Sequence, residues 1–171
     1  QPDKKIAVID SRSTGPEMVL LVKKICEIIE SGADFDTVVS KAELYSNHTH
    51  IVFALSSFDN LVKNGRMSKI VGFVANKLGF WGIGIGSKQG TIEIKQKIRG
   101  SKKALDAIID DMKERGYNCG KVVISHCRNA EFAESVKSAI QSVWDKAEVK
   151  IVHARGLCSY YAEKGGLIIG F

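Results

Sequence analysis

Proline is scarce in this sequence, with two residues in 171, and cysteine is both scarce and scattered. Cys26, Cys119, Cys127 and Cys158 form no C-x-x-C pair and stand too far apart to frame a small disulfide-stapled fold. That spacing excludes a zinc knuckle and leaves reduced, mostly buried thiols as the expectation. No apolar run approaches the roughly 18 residues that a membrane helix needs. Asp3, Lys4, Lys5 and Asp10 make the first ten residues unlike a secretory signal, so the cytoplasm is the expected compartment. Gln1 in place of methionine suggests a chain processed at its start or cut from a longer one. No glycine is followed by lysine and then serine or threonine, which removes the P-loop.

What is present is the balance of a folded globule, with 44% hydrophobic and 26% charged residues and a mean hydropathy of -0.03. The length suits one ordinary domain, or a small domain with a fragment of another beside it. The net charge is +6, but the surplus is local. Between residues 63 and 103 ten bases face one acid, Glu93, so the middle of the chain carries +9 and the remainder -3. Such a field could attract phosphate, nucleic acid or an acidic protein, or it could be a set of solvated surface lysines.

Hydrophobic patterning alternates between strand and helix from end to end. Lys5–Asp10 reads as a buried strand delivering polar groups at its carboxyl end. Thr14-Gly15-Pro16-Glu17 opens a helix whose apolar members Val19, Val22, Cys26 and Ile29 share one face before Gly32 stops it. A second helix runs from Asp34 or Asp36 to about Ser46, then a strand over 51–55 and a short helix from Ser56-Ser57 to Lys63. Past the break at Gly65, Ser68 caps a strongly apolar helix carrying Ile70, Val71, Phe73, Val74 and Leu78. Residues 81–98 form a hairpin around Ser87–Gly90, with Ile92, Ile94 and Ile98 loosely on one strand face. Helices over 101–115 and 129–144 and strands over 121–125, 147–152 and 166–170 follow. The fold class is α/β, a mixed sheet with packed helices.

Candidate chemistry is thin. Gly82-x-Gly84-x-Gly86 has the wrong spacing for a dinucleotide turn and leads into a hairpin, so it reads as a strand kept thin for close packing. His48-x-His50 has no third metal ligand nearby and reads as surface. His126 and Cys127 sit at a strand end but point to opposite faces, so a satisfied histidine is expected there rather than a base with its nucleophile. The turn Asp10–Ser13 could bind a carboxylate or phosphate, or could simply cap the next helix. No set of residues has metal-ligand spacing.

Several segments, in order, resemble the DegV-like fatty-acid-binding proteins of bacteria. They are Ile9-Asp10-Ser11-Arg12-Ser13, Leu61–Ser68 with its Gly65-Arg66-Met67-Ser68 turn, the basic helix start Ile98–Leu105, Ile124-Ser125-His126 and the closing Gly165–Phe171. The resemblance covers nearly all of this chain but only the later part of the family's two-domain protein. It implies that residues 1–50 are a remnant of the amino-terminal domain and residues 51–171 the carboxyl-terminal lipid-binding domain. It further implies a carrier without enzymatic activity or cofactor, which buries a long-chain fatty acid and presents it to a fatty acid kinase. A second copy of the chain, or the absent amino-terminal segment, would complete it.

In the site that the resemblance implies, Ser11 and Ser13 lie by the lipid head group; Ile70, Phe73 and Val74 are candidates to line the acyl tunnel, with core packing as the alternative. Arg66 and Arg99 face the kinase. Where the family commonly has histidine-threonine-glycine-proline-glycine beside the head group, this sequence has Tyr161-Ala162-Glu163-Lys164-Gly165. A tyrosine hydroxyl can still donate to a carboxylate, whereas alanine cannot replace threonine and Glu163 adds negative charge. Two other readings stay open at this level. One is a basic nucleic-acid-binding regulator, which salt-dependent DNA binding would reveal. The other is a small-molecule enzyme using Asp10, Ser11, His126 and Tyr161, for which no nucleophile, base and orienter stand at recognisable spacing.

Overall fold

A computed structural model describes residues 4–67 and 80–171. One mixed sheet runs in the order β3-β2-β1-β6-β4-β5. Its strands are β1 (Ile51–Leu55), β2 (Phe80–Gly86), β3 (Ile92–Arg99), β4 (Lys121–His126), β5 (Glu148–His153) and β6 (Leu167–Gly170). Among the described residues only β4 and β5 pair in parallel; β6 inserts antiparallel between β1 and β4. Strands β1 and β6 therefore sit at the centre, which is why every residue of both is buried.

Period-two alternation divides the sheet's faces. Val52 and Ala54 of β1 join Leu167 and Ile169 of β6 in the larger core, covered by α4 (Ser101–Glu114) and α5 (Ala130–Val143). Ile51, Phe53, Leu55 and Ile168 face the other way, toward Leu61 of α3 (Asp59–Lys63) and Ala162 of α6 (Gly156–Ala162). On this second face α1 (Gly15–Glu30) lies against β4 and β6. Any Cβ on Gly170 would meet the backbone of Pro16 and Glu17. Helix α2 (Phe35–Ser46) packs on α1, its first turn held by Asp34, which accepts from the Thr37 N–H at 2.8 Å.

Three local expectations need correction. Lys5–Asp10 is not a buried strand: it belongs to no ladder, and Ile6 and Val8 are 83% and 89% exposed. Its apolar pattern suits a strand, but a strand needs a partner, and the described residues offer it none. The α1 stripe of Val19, Val22, Cys26 and Ile29 also faces outward, while Pro16, Glu17, Leu20, Leu21 and Ile28 are buried. The helix carries two apolar stripes, and periodicity alone does not say which one meets the sheet. In β3, Ile98 packs on the α4–α5 side and Ile94 on the other. A bulge is the cause: Ile83 pairs with Gln96 and Gly84 with Ile94, so Lys95 is the extra residue and the alternation changes phase there.

Candidate functional site

A cavity of about 500 Å³ opens between the second face of the sheet and the helices above it. Its floor is apolar, built from Ile51, Phe53 and Leu55 of β1 and Ile168 of β6, with Leu61, Leu157 and Ala162 as walls. The glycine run of β2 makes room for this floor. A Cβ on Gly84 would strike the Phe53 ring and the Glu93 carbonyl, and one on Gly86 would come within 2.7 Å of an Ile51 methyl carbon. Those glycines thus act as a thinned strand, with no phosphate contact required of them.

The rim is polar and comes mostly from loops. Arg12, in the left-handed region at φ +50, donates its backbone N–H to Asp10 Oδ1 at 3.0 Å. Its guanidinium donates to the Asn47 side chain at 2.6 Å and to the Lys88 carbonyl at 3.2 Å, fastening the Asp10–Thr14 turn to the β2–β3 hairpin. Ser11 Oγ accepts from the Ser13 N–H at 3.3 Å. Ser13 spends its own hydroxyl proton on Glu17, a buried carboxylate that also accepts from Thr49 Oγ1 at 2.6 Å. Ser13 thereby ties the turn to the first turn of α1, where negative charge is favoured.

Of the residues singled out from the sequence, Ser11, Ser13, Arg66, Tyr161 and Ala162 all line this one cavity. Tyr161 is half-buried, its ring edge-on to Tyr160 at 5.2 Å, and its hydroxyl has no hydrogen-bond partner among the described residues. Arg66 is exposed at the mouth. Arg99 stands apart from the cavity at the end of β3, its guanidinium 5.8 Å from the centre of the Phe80 ring. Ile70, Phe73 and Val74 lie outside the described residues. Glu163, expected to add charge beside the head group, turns away: its carboxylate accepts the Asn60 N–H of α3 at 3.0 Å, and it does not line the cavity.

Sequence reasoning missed Phe53, Leu61, Leu157 and Ile168 as lining. The available signal was β1 itself, where alternate residues must face opposite layers, combined with glycines across the ladder. Helix α6 was missed altogether, since seven residues beginning at Gly156 carry too short a pattern to read.

The other candidates fall into structural roles. His126 is buried, and its Nδ1 accepts the Asn129 N–H at 3.1 Å at the start of α5. Burial, reinforced by the His153 ring 4.5 Å away, pushes its pKa below the ordinary value. Cys127 points to the cavity-side cluster instead. His48 Nδ1 bonds the Leu44 carbonyl at 2.8 Å, and His50 packs on Phe171. Among the described residues no group of three or more metal-ligating side chains converges, and no helix is long and apolar enough to cross a membrane.

A family profile described as "Uncharacterised protein, DegV family" matches residues 1–171. A DegV domain-containing protein of Streptococcus pneumoniae (strain ATCC BAA-255 / R6) is 42% identical over 170 residues, 99% of this chain and 60% of its own length. Among solved structures, a DegV family protein from Eubacterium eligens loaded with heptadecanoic acid superposes with a TM-score of 0.95 at 38% identity, over 99% of this chain and 61% of that one. The Streptococcus pneumoniae Fatty Acid Kinase (Fak) B3 protein loaded with linoleic acid also gives 0.95, at 42% identity, over 99% and 60%. The chain thus spans about 60% of the length of the curated relatives it matches.

Proposed function

Since the chain belongs to the DegV family, we propose that it is the lipid-holding part of a fatty-acid carrier. The observation that carries this reading is the cavity of about 500 Å³, apolar at its floor and polar at its rim. The floor supplies the energy. Each buried methylene contributes roughly 0.8 kcal/mol, so an acyl tail can be held firmly while the head group makes few contacts. The rim supplies orientation, with the Tyr161 hydroxyl as donor to a carboxylate and the Ser11 hydroxyl beside it. Ser13 would join them by exchanging its bond to Glu17. Ile70, Phe73 and Val74 extend the apolar lining in this reading.

The carrier carries out no reaction of its own and needs no cofactor. By likeness to the fatty acid kinase B3 protein of Streptococcus pneumoniae, its partner is a fatty acid kinase, which meets the mouth of the cavity at Arg66 and the basic surface at Arg99. Residues 1–50 act as part of an amino-terminal domain and residues 51–171 as the carboxyl-terminal one.

Native mass spectrometry of the protein as purified, followed by organic extraction, tests the reading. A co-purifying long-chain fatty acid is expected. A chain that retains no lipid and takes up none from added fatty acid would overturn it.

A further inference from the structure

Two short helices wall the cavity from above, α3 through Leu61 and α6 through Leu157 and Ala162. Neither is long enough to hold its place by helical cooperativity, so their spacing depends on the bonds between them. Glu163, which ends α6, supplies one of these from an unusual position. Its backbone lies at φ 55 and ψ 175, a region open without strain only to glycine. From there its carboxylate reaches across to α3 and accepts the Asn60 N–H at 3.0 Å, satisfying a first-turn donor that the helix cannot satisfy itself. Asn60 returns a bond from its side chain to the Tyr160 carbonyl at 2.8 Å, and Asn64 donates to the Tyr160 hydroxyl at 2.9 Å. Arg66 follows α3 because its N–H is bonded to the Leu61 carbonyl at 2.9 Å.

We infer that Glu163 is a positioning residue, whose strained backbone and capping carboxylate lock α3 to α6 so that Leu61 and Arg66 face Tyr161 across the cavity at a fixed separation. The inference rests on the lipid-binding reading for its consequence, not for its geometry. At a backbone conformation that glycine would adopt without strain, the Glu163 side chain offsets the strain with its bond to Asn60. Here that side chain is directed at the opposite wall and away from the ligand space. Glu163 therefore sets the width of the mouth without touching the lipid.

Glu163→Gln, Glu163→Ala and Glu163→Gly separate this role from general stability. Binding of an eighteen-carbon fatty acid and of the matching fatty alcohol is measured for each, with hydrogen exchange at the Asn60 amide. Glutamine keeps an acceptor and is expected to hold acid affinity near that of the unaltered protein, whereas alanine and glycine lose about fivefold, the scale of one net hydrogen bond. The loss is larger for the acid than for the alcohol, because the carboxylate accepts more bonds from the rim donors than a hydroxyl does, and charge-assisted ones. Asn60 exchanges faster in the alanine and glycine variants alone. A glycine variant that binds the acid as tightly as the unaltered protein overturns the inference. If the unaltered protein binds neither lipid, the carrier reading fails, and the clamp is then judged by Asn60 exchange, where no acceleration in the glycine variant overturns it.

Discussion

Tyr161 brings to the cavity wall a hydroxyl that has no hydrogen-bond partner among the described residues, and it can donate to a carboxylate placed there. Replacing it by phenylalanine keeps the ring and removes the donor. Fatty-acid affinity should fall by about 0.5–1.5 kcal/mol, and Tyr161→His with Ala162→Thr should raise it, both measured by titration calorimetry. No change from either substitution would remove Tyr161 from the head-group site. His126 makes a separate residue-scale prediction. Its pKa is lowered in the folded protein by burial and by His153. The unfolded chain therefore takes up a proton first as the pH drops. The stability present above the ordinary histidine pKa of 6.5 is lost as the pH falls from there through the folded value. His50, also lowered by burial, contributes with the same sign. Asparagine at 126 retains an acceptor for the Asn129 N–H without a proton to gain. Denaturant midpoints at several pH values should show a shallower acid limb for His126→Asn than for the unaltered chain; equal slopes would refute the assignment.

At the scale of elements, β1 and β2 form one device, a strand of large apolar residues facing a strand of alternating glycines. Gly84→Ala places a methyl group against the Phe53 ring and the Glu93 carbonyl. It should cost about 1–3 kcal/mol of stability in denaturant unfolding, with Phe53→Leu recovering part of the loss. Additive costs would show that the two do not share the space. The thin strand was legible in the sequence from its glycine spacing, though not its pairing with β1, and so were the helices with a single apolar face, such as α5. The bulge at Lys95 was not legible. It depends on where Lys95 finds its partners, Asp111 at 3.1 Å and Glu114 at 2.7 Å on α4, contacts that no local pattern encodes. Resemblance sets Ser11, Ser13 and Tyr161 at one head-group site and Arg66 toward the kinase. That all four line one cavity, with a floor from β1 and β6, follows from chain crossings that local patterning does not show.

Across the whole molecule, two surfaces ask for partners. The outer stripe of α1, with Val22 at 52% and Ile29 at 56% exposure, lies on the same helical layer as the exposed Leu44 of α2. Apolar surface of this kind marks an interaction site. The chain alone should bind a hydrophobic dye and self-associate, and Val22→Glu with Ile29→Glu should abolish both. A monodisperse monomer that binds no dye would count against this. The basic surface should act more selectively. Under the proposed carrier function, Arg99→Ala should lower phosphorylation of the bound acyl chain by the cognate kinase while leaving lipid retention intact, whereas Arg66→Ala, at the cavity mouth, should lower both. Lys88→Ala should do little, since Arg12 uses the Lys88 backbone carbonyl and not its side chain. Equal losses in all three would replace specific docking with diffuse electrostatic steering. A steep salt slope for DNA binding would instead point to a nucleic-acid partner.

The position of β6 bears on how the molecule is made. Of the six strands it is the last to leave the ribosome, yet it belongs between β1 and β4, pairing Ile51 with Gly170 across more than half the sequence. Until β6 emerges, the nascent sheet is two separate pieces, the β3-β2-β1 ribbon and the β4-β5 pair, each with an open edge exposed to other chains. Pairing at such sequence distance closes late and slowly. The cavity floor shares both central strands, so it is complete only once β6 has paired with β1. A product truncated before β6 would present two bare strand edges to chaperones in place of a finished cavity floor.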